Sequence, residues 1–238
     1  QKDTLHKKLQ VQIKQEEEQL KQSISNISHD LRTPLTSIQG YLTLLQECED
    51  KQEQGQCIKI IKAKTDYLTD LVQEFYDLSV IENEQVDVEC ERVDINRIVT
   101  DCLIEKYYEF GAIQPTIQTE NTPVWIYGNN LICKRIIENL IVNALRYSDN
   151  YIEVSINQKG VFTIKNSTNS LDDIDVNVLF NKFYTVDKSR TKGSSGLGLY
   201  IVKELLKKID GKIENVSYEK NILSISICFP LYNDKKLL

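Results

Sequence analysis

The sequence contains no methionine, two histidines and no close pair of cysteines in 238 residues. Its six cysteines stand at positions 48, 57, 90, 102, 133 and 228, without a CxxC motif. Two histidines and dispersed thiols supply neither a zinc site nor a disulfide framework, and the pattern suits reduced thiols. No apolar run approaches the roughly 20 residues that cross a bilayer, and no signal peptide is visible. A surplus of positive charge is also missing: 27% of residues are charged and the net charge is −6. A surface built to neutralise nucleic-acid phosphates is thereby excluded. With Gln1 first and methionine absent, the chain is expected to be a piece of a longer protein, any membrane segment lying outside it. The apolar content is ample for one large domain or two small ones.

What is present begins with a long amphipathic stripe. Leu20, Ile24, Ile27, Leu31, Leu35, Ile38, Leu42 and Leu45 recur in steps of three, four or seven, predicting one helix with one buried face. At about 100° per residue the stripe spans roughly 80°, and His29 falls about 160° from its centre. The imidazole is thus expected in water. Thr33, four residues on, shares that face, and Asp30 is its neighbour, so a nucleophile, a carboxylate and a hydroxyl are expected on one accessible surface. Pro34 frees the carbonyl of Asp30 and predicts a local bend. A lone histidine in such a place is most simply a solvated side chain.

Upstream, Leu5, Leu9 and Ile13 extend a narrow seam through residues 2–22 among Lys, Gln and Glu, as in a coiled-coil arm. Charges and a glycine interrupt the pattern from Glu47 to Gly55. Ile61, Leu68, Leu71, Val72, Phe75, Leu78 and Ile81 then form a second amphipathic helix. Two long helices with a short polar link read as an antiparallel hairpin, whose core a second copy would complete as a four-helix bundle.

From Val86 the texture changes to mixed strands and helices, expected as a sheet covered by helices on one face. Strands are predicted at Val86–Glu89, Thr116–Thr119, Val124–Tyr127, Tyr151–Asn157, Val161–Lys165, Lys212–Val216 and Ile222–Phe229. Asp94 can cap a helix that carries Ile95, Ile98, Val99, Cys102, Leu103 and Tyr107, and further helices are predicted over 130–147 and 198–209. In the middle one, Asn139, Asn143, Arg146 and Tyr147 fall on one face. Two amides, a guanidinium and an aromatic so arranged could hold a hydrated cation, a phosphate chain and a flat base. The run Gly193-Ser194-Ser195-Gly196-Leu197-Gly198 opens the next helix, where glycines and free N–H groups can approach phosphate oxygens. It is neither a P-loop nor a dinucleotide fingerprint.

Ser28-His29-Asp30-Leu31-Arg32-Thr33-Pro34-Leu35 resembles the phosphoacceptor box of sensor histidine kinases, and the downstream motifs follow in that family's order. Asn139 to Asn143 resembles its asparagine box; Phe180-Asn181-Lys182-Phe183-Tyr184 with Asp187, Lys188, Ser189 and Arg190 its phenylalanine box; Gly196-Leu197-Gly198-Leu199 its second glycine box. The resemblance implies ATP and Mg²⁺ as cofactors, with Asn143 the magnesium ligand and Asn139 assisting. Arg190 and Lys192, beside Gly193, would close over the phosphates as a lid. One motif departs. Where the family carries Asp-x-Gly-x-Gly and the Asp reads the adenine amino group, this chain has Asn166-Ser167-Thr168-Asn169-Ser170. Asn166 offers a neutral acceptor in place of a charged one.

The expected architecture is a coiled-coil signalling helix (1–22), a dimerisation and phosphotransfer hairpin (23–84) forming a dimeric four-helix bundle, and a Bergerat-type α/β sandwich that binds ATP (85–238). The resemblance implies autophosphorylation of His29, with Asp30 orienting the ring, transfer to an aspartate of a response regulator, and a reverse phosphatase duty for Thr33. An ATP hydrolase of the wider Bergerat group would carry a glutamate one turn before Asn143, where Asn139 stands. A kinase-inactive scaffold or regulator phosphatase is the alternative that the missing glycines after Lys165 favour. The resemblance further implies a homodimer and the cytoplasmic portion of a membrane-anchored bacterial protein.

Overall fold

The structure is a computed structural model that describes residues 25, 28, 30–82, 88–169, 171, 174–186 and 195–233. The expected coiled-coil arm over 1–22 lies outside these residues. Two compact units divide the chain, Gln1–Phe75 and Tyr76–Leu238.

In the first unit, residues 30–47 form helix α1 and run unbroken through Pro34. The break that follows covers only residues 48–50, not the whole of Glu47 to Gly55. Asp50 explains the early restart. Its carboxylate accepts from the backbone N–H of Gln52 at 2.7 Å, while Gln54 Nε2 donates to the Cys48 carbonyl at 2.7 Å, so α2 (Lys51–Glu82) starts at once and absorbs Gly55. The buried positions also differ from the expected stripe. Asp30 and Pro34 are buried in α1, whereas Leu35 and Leu42 stay 45% exposed. The inner face is rotated by one residue from the apolar one. In α2, Leu71 and Leu78 are buried and Ile58 and Val72 are exposed.

The second unit is a sheet with helices on one face. Strand β1 is Glu91–Asp94, later than the expected Val86–Glu89; Val88 and Glu89 are irregular, and 86–87 lie outside the described residues. Asp94 caps α3 (Ile95–Glu105), accepting from Arg97 N–H and from Val124 N–H. Tyr107, expected on α3, belongs instead to a short 3-10 turn, and it is exposed. Strands β2 (Thr116–Gln118) and β3 (Trp125–Gly128) precede α4 (Asn130–Tyr147), which Asn129 caps. Next come β4 (Ile152–Ile156), β5 (Val161–Ser167), α5 (Gly198–Lys208), β6 (Lys212–Glu219) and β7 (Ile222–Cys228).

β1 and β3 form an antiparallel pair, and the main sheet has the order β2-β4-β5-β7-β6, antiparallel except for β2 beside β4. β4, β5 and β7 bury alternate residues, so one face carries Ile152, Val154, Phe162, Ile164, Ile225 and Ile227 into the core. α4 packs on α5, α3 and β5, with Cys133, Ile136, Ile137, Leu140, Ile141 and Ala144 inward. The β6–β7 turn places Lys220 and Asn221 at φ 51° and 61°, the left-handed pair that a two-residue hairpin requires. The last turns of α2 belong to this unit, where Asp77 pairs with Arg135 of α4.

Candidate functional site

The polar face of α4 runs along the helix at Asn139, Asn143, Arg146 and Tyr147, as their spacing requires. Asn139 is buried at its upper end. Its amide N–H donates to the Arg135 carbonyl at 2.9 Å, which leaves Oδ1 turned toward the start of α5, close against Gly198. A Cβ at Gly198 would meet that oxygen at 3.3 Å. Asn143 and Arg146 are half-buried, and neither has a hydrogen-bond or ion-pair partner among the described residues. An unpaired guanidinium at a helix C-terminal turn, beside amide oxygens, suits an anionic ligand that carries a cation.

Facing this row, α5 starts at Gly198 with no side-chain cap; its first internal bond runs from Ile201 N–H to the Leu197 carbonyl at 2.8 Å. The N–H groups of the first turn and the positive end of the helix dipole therefore lie beside Gly198 and Asn139. The approach to the helix is fixed by packing. Leu197 is wholly buried, and its N–H bonds Ser195 Oγ at 3.1 Å. Gly196 holds φ at 69°, and a Cβ there would meet the Phe183 carbonyl carbon and the Tyr184 oxygen at 2.7 Å. Only glycine fits under that backbone, which packs Gly196 directly beneath Phe183 and Tyr184. Phe180 is buried core, and Phe183 takes φ 62° to make the crossing. Lys182, part of the phenylalanine-box run, had no role of its own in the sequence reading. Its ammonium sits 5.5 Å from the Phe183 ring and 5.8 Å from the Tyr200 ring, beside the first turn of α5. The signal available was its place between two phenylalanines ahead of a glycine run.

Asn166 lies inside β5, not in a loop after it. The strand extends to Ser167, and Asn166 pairs in register with Ile152 of β4 and Leu223 of β7. It shares the buried face with Phe162 and Ile164 and is 3% exposed. Ser167 and Thr168 hold the strand end in place. Ser167 Oγ accepts from Asn150 N–H and Tyr151 N–H at 3.0 Å each, and Thr168 N–H donates to the Asn221 carbonyl at 2.8 Å.

Three of the expected site residues in the lid, Arg190, Lys192 and Gly193, lie outside the described residues, as do Asp187, Lys188 and Ser189 and the phosphoacceptor candidate His29. Thr33 is exposed on α1, as expected. Asp30 is not: it is 8% exposed and faces inward with Pro34, so the accessible surface predicted to hold both Asp30 and Thr33 holds Thr33 alone. The two positions are three residues, about 300°, apart on the wheel.

No cluster of three or more His, Cys, Asp or Glu residues able to hold a metal occurs among the described residues. The donor set here is amide oxygen. Such donors suit a hard, largely hydrated Mg²⁺ that takes its remaining ligands from water and phosphate, and Asn143 with Asn139 fits that role. All six cysteines are free thiols, and burial pushes those of Cys102 and Cys133 up to about 12. They are inert parts of the core.

Residues 19–84 match the His Kinase A (phospho-acceptor) domain, and residues 128–233 match the Histidine kinase-, DNA gyrase B-, and HSP90-like ATPase family. The chain is similar to sensor histidine kinase YcbM of Bacillus subtilis, 28% identical over 232 residues that cover 92% of this chain and 75% of that protein. It is also similar to sensor protein kinase WalK of Staphylococcus epidermidis, 30% identical over 91% of this chain and 37% of that protein. Among solved structures, the Acinetobacter baumannii histidine kinase AdeS superposes with a TM-score of 0.63 at 23% identity, covering 86% of this chain and 98% of that one, which shows a shared fold.

Proposed function

Since this chain belongs to the two-component sensor histidine kinases, we propose that it autophosphorylates on His29 and passes the phosphoryl group to an aspartate of a response-regulator receiver domain. The observation that carries this reading is the uncapped N-terminus of α5 opening against the polar face of α4, in a chain whose phosphoacceptor match spans His29. Arg146 and the first-turn N–H groups of α5 would bind the phosphate chain, Tyr147 and Asn166 the base, and Arg190, Lys192 and Gly193 would close over it. Asn143, with Asn139, would hold Mg²⁺, which offsets phosphate charge when bound. A neutral ring nitrogen of His29 attacks the γ-phosphorus, the bond to the β–γ bridging oxygen breaks, and ADP leaves. The step requires the neutral imidazole.

The reading assigns residues 1–22 to a coiled-coil signalling helix, 23–84 to the dimerisation and phosphotransfer hairpin and 85–238 to the ATP-binding domain. A homodimer would cover the exposed leucines of the hairpin. Asp30, drawn inward with Pro34, would orient His29 from the hairpin side. Thr33, exposed one turn after His29, would position water for dephosphorylation of the regulator; Thr33→Ala should lower phosphatase turnover while autophosphorylation persists. No helix of the described residues is long and apolar enough to cross a membrane. In this reading, membrane anchoring comes from segments outside this chain, which forms the cytoplasmic portion.

Incubation with γ-labelled ATP and Mg²⁺, beside His29→Gln, tests the proposal. Acid-labile, base-stable label that disappears in the variant is the expected result. The run from Asn166 to Ser170, which lacks the family's glycines, favours one second reading, a kinase-inactive regulator phosphatase or scaffold. That reading requires a folded dimer that acquires no label.

A further inference from the structure

Asn166 is a buried amide with almost nothing bound to it. The only side-chain hydrogen bond it makes among the described residues runs from Nδ2 to the carbonyl of the adjacent Ser167 at 3.5 Å, the far edge of hydrogen-bonding range. Its oxygen accepts from no group among the described residues, and no fully enclosed polar side-chain atom there lacks a partner. The oxygen therefore reaches accessible space from the wall of the core. A residue 97% covered whose amide has one marginal donor bond and an acceptor without a partner is uncommon, because a buried amide normally finds partners. Its backbone, by contrast, is fixed in the ladder between Ile152 and Leu223. The terminal amide torsion, broad and two-fold, remains to adjust.

We infer that Asn166 makes the nucleotide site accept both adenine and guanine triphosphates; this rests on the reading above, in which Asn166 faces the base. An amide presents a donor and an acceptor side by side, and a half-turn exchanges them. In one orientation Oδ1 accepts from the 6-amino group of adenine while Nδ2 donates to the neighbouring ring nitrogen. In the other, Nδ2 donates to the 6-oxo group of guanine while Oδ1 accepts from the ring N–H. Among the described residues only the long 3.5 Å contact with the Ser167 carbonyl bears on which orientation it takes. A carboxylate placed to accept from a 6-amino group would turn lone pairs toward a 6-oxo group and reject it. Pyrimidines offer similar edges on a single ring, too short to span the same distance from ribose to strand. The phosphoryl step is unchanged in its balance. The γ-phosphorus bonds to the His29 nitrogen and GDP leaves in place of ADP.

The test is calorimetric titration of the whole 238-residue chain with ATP, GTP and UTP in the presence of Mg²⁺, followed by labelling of His29 from each γ-labelled purine triphosphate. ATP and GTP are expected within about tenfold of each other, with UTP weaker than either by at least about tenfold, since one lost pair at a buried polar group weakens binding about 10- to 100-fold. Asn166→Asp should widen the preference for ATP over GTP by about the same 10- to 100-fold. GTP more than about a hundredfold weaker than ATP on the unaltered chain overturns the inference and leaves the ATP site standing. UTP equal to the purines overturns it as well, because the base would then not be read. Failure of all three to bind overturns the nucleotide site itself. If Asn166→Asp does not fold, the ranking on the unaltered chain decides; if it folds and the ratio is unchanged, the assignment to Asn166 is wrong.

Discussion

The helical hairpin and the α/β unit bury their apolar residues to very different degrees. In the α/β unit Ile95, Ile126, Ile136, Ile137, Phe162 and Ile201 are wholly enclosed. In the hairpin, Leu35, Leu42, Leu44, Ile58 and Val72 keep about half their surface in water. A sheet with three helices on one face closes a core from within a single chain. Two helices cannot, since each has two flanks and only one neighbour. The difference separates the roles as well. In the proposed reading, the self-contained unit would hold the nucleotide site, and the open one would leave a surface for a second copy and a regulator.

The sharpest way to break that contrast is to empty the closed core. Phe162→Ala should destabilise the α/β unit by about 3–5 kcal/mol and leave the helical hairpin's transition in place, giving two separated steps in urea followed by far-UV circular dichroism. Gly196→Ala acts on the same unit at its site. It adds a Cβ where backbone atoms already stand, at a positive φ, and strain of about 1–3 kcal/mol is expected. Calorimetry should show ATP binding lost or much weakened while the unit still unfolds cooperatively. Leu42→Ala should behave oppositely. At a half-exposed position the folded protomer loses less than about 1 kcal/mol, and the change should appear as a raised dimer dissociation constant by sedimentation. Unaltered dissociation would remove the exposed leucines from the proposed dimer interface.

The smallest effect is one of pH. Hydrogen bonds from Lys165 and Tyr151 hold the Glu153 carboxyl below its ordinary value. A carboxyl whose folded value is depressed adds stability above its unfolded value and loses it as pH falls through the folded one. The α/β unit should therefore soften slightly below about pH 4.5, and Glu153→Gln should flatten that slope. The group is partly solvated, so the change should stay below about 1 kcal/mol.

Much of this was legible from local pattern. The 3.6-residue period fixes α4 from Asn130 to Tyr147 and aligns Asn139, Asn143, Arg146 and Tyr147, because both follow from neighbours within two turns. Alternation likewise marks β4, β5 and β7. Asp94 as a cap and α5 opening at Gly198 were equally local. The strand ahead of α3 was not, since Glu91–Asp94 is polar in sequence and becomes a strand only by pairing with Trp125–Gly128.

The sequence by itself determined which residues could share a helix or strand face, and so the make-up of the polar row on α4. Tertiary structure alone decided what each face meets. It turned Asp30 inward, although helical period centres the apolar stripe on Leu31, about 100° away. It extended β5 far enough to enclose Asn166, because the ladder with Ile152 and Leu223 supplies backbone partners that a loop would have lacked. It also laid the Phe183–Tyr184 backbone over Gly196, thirteen residues away, through a close approach that no local propensity encodes.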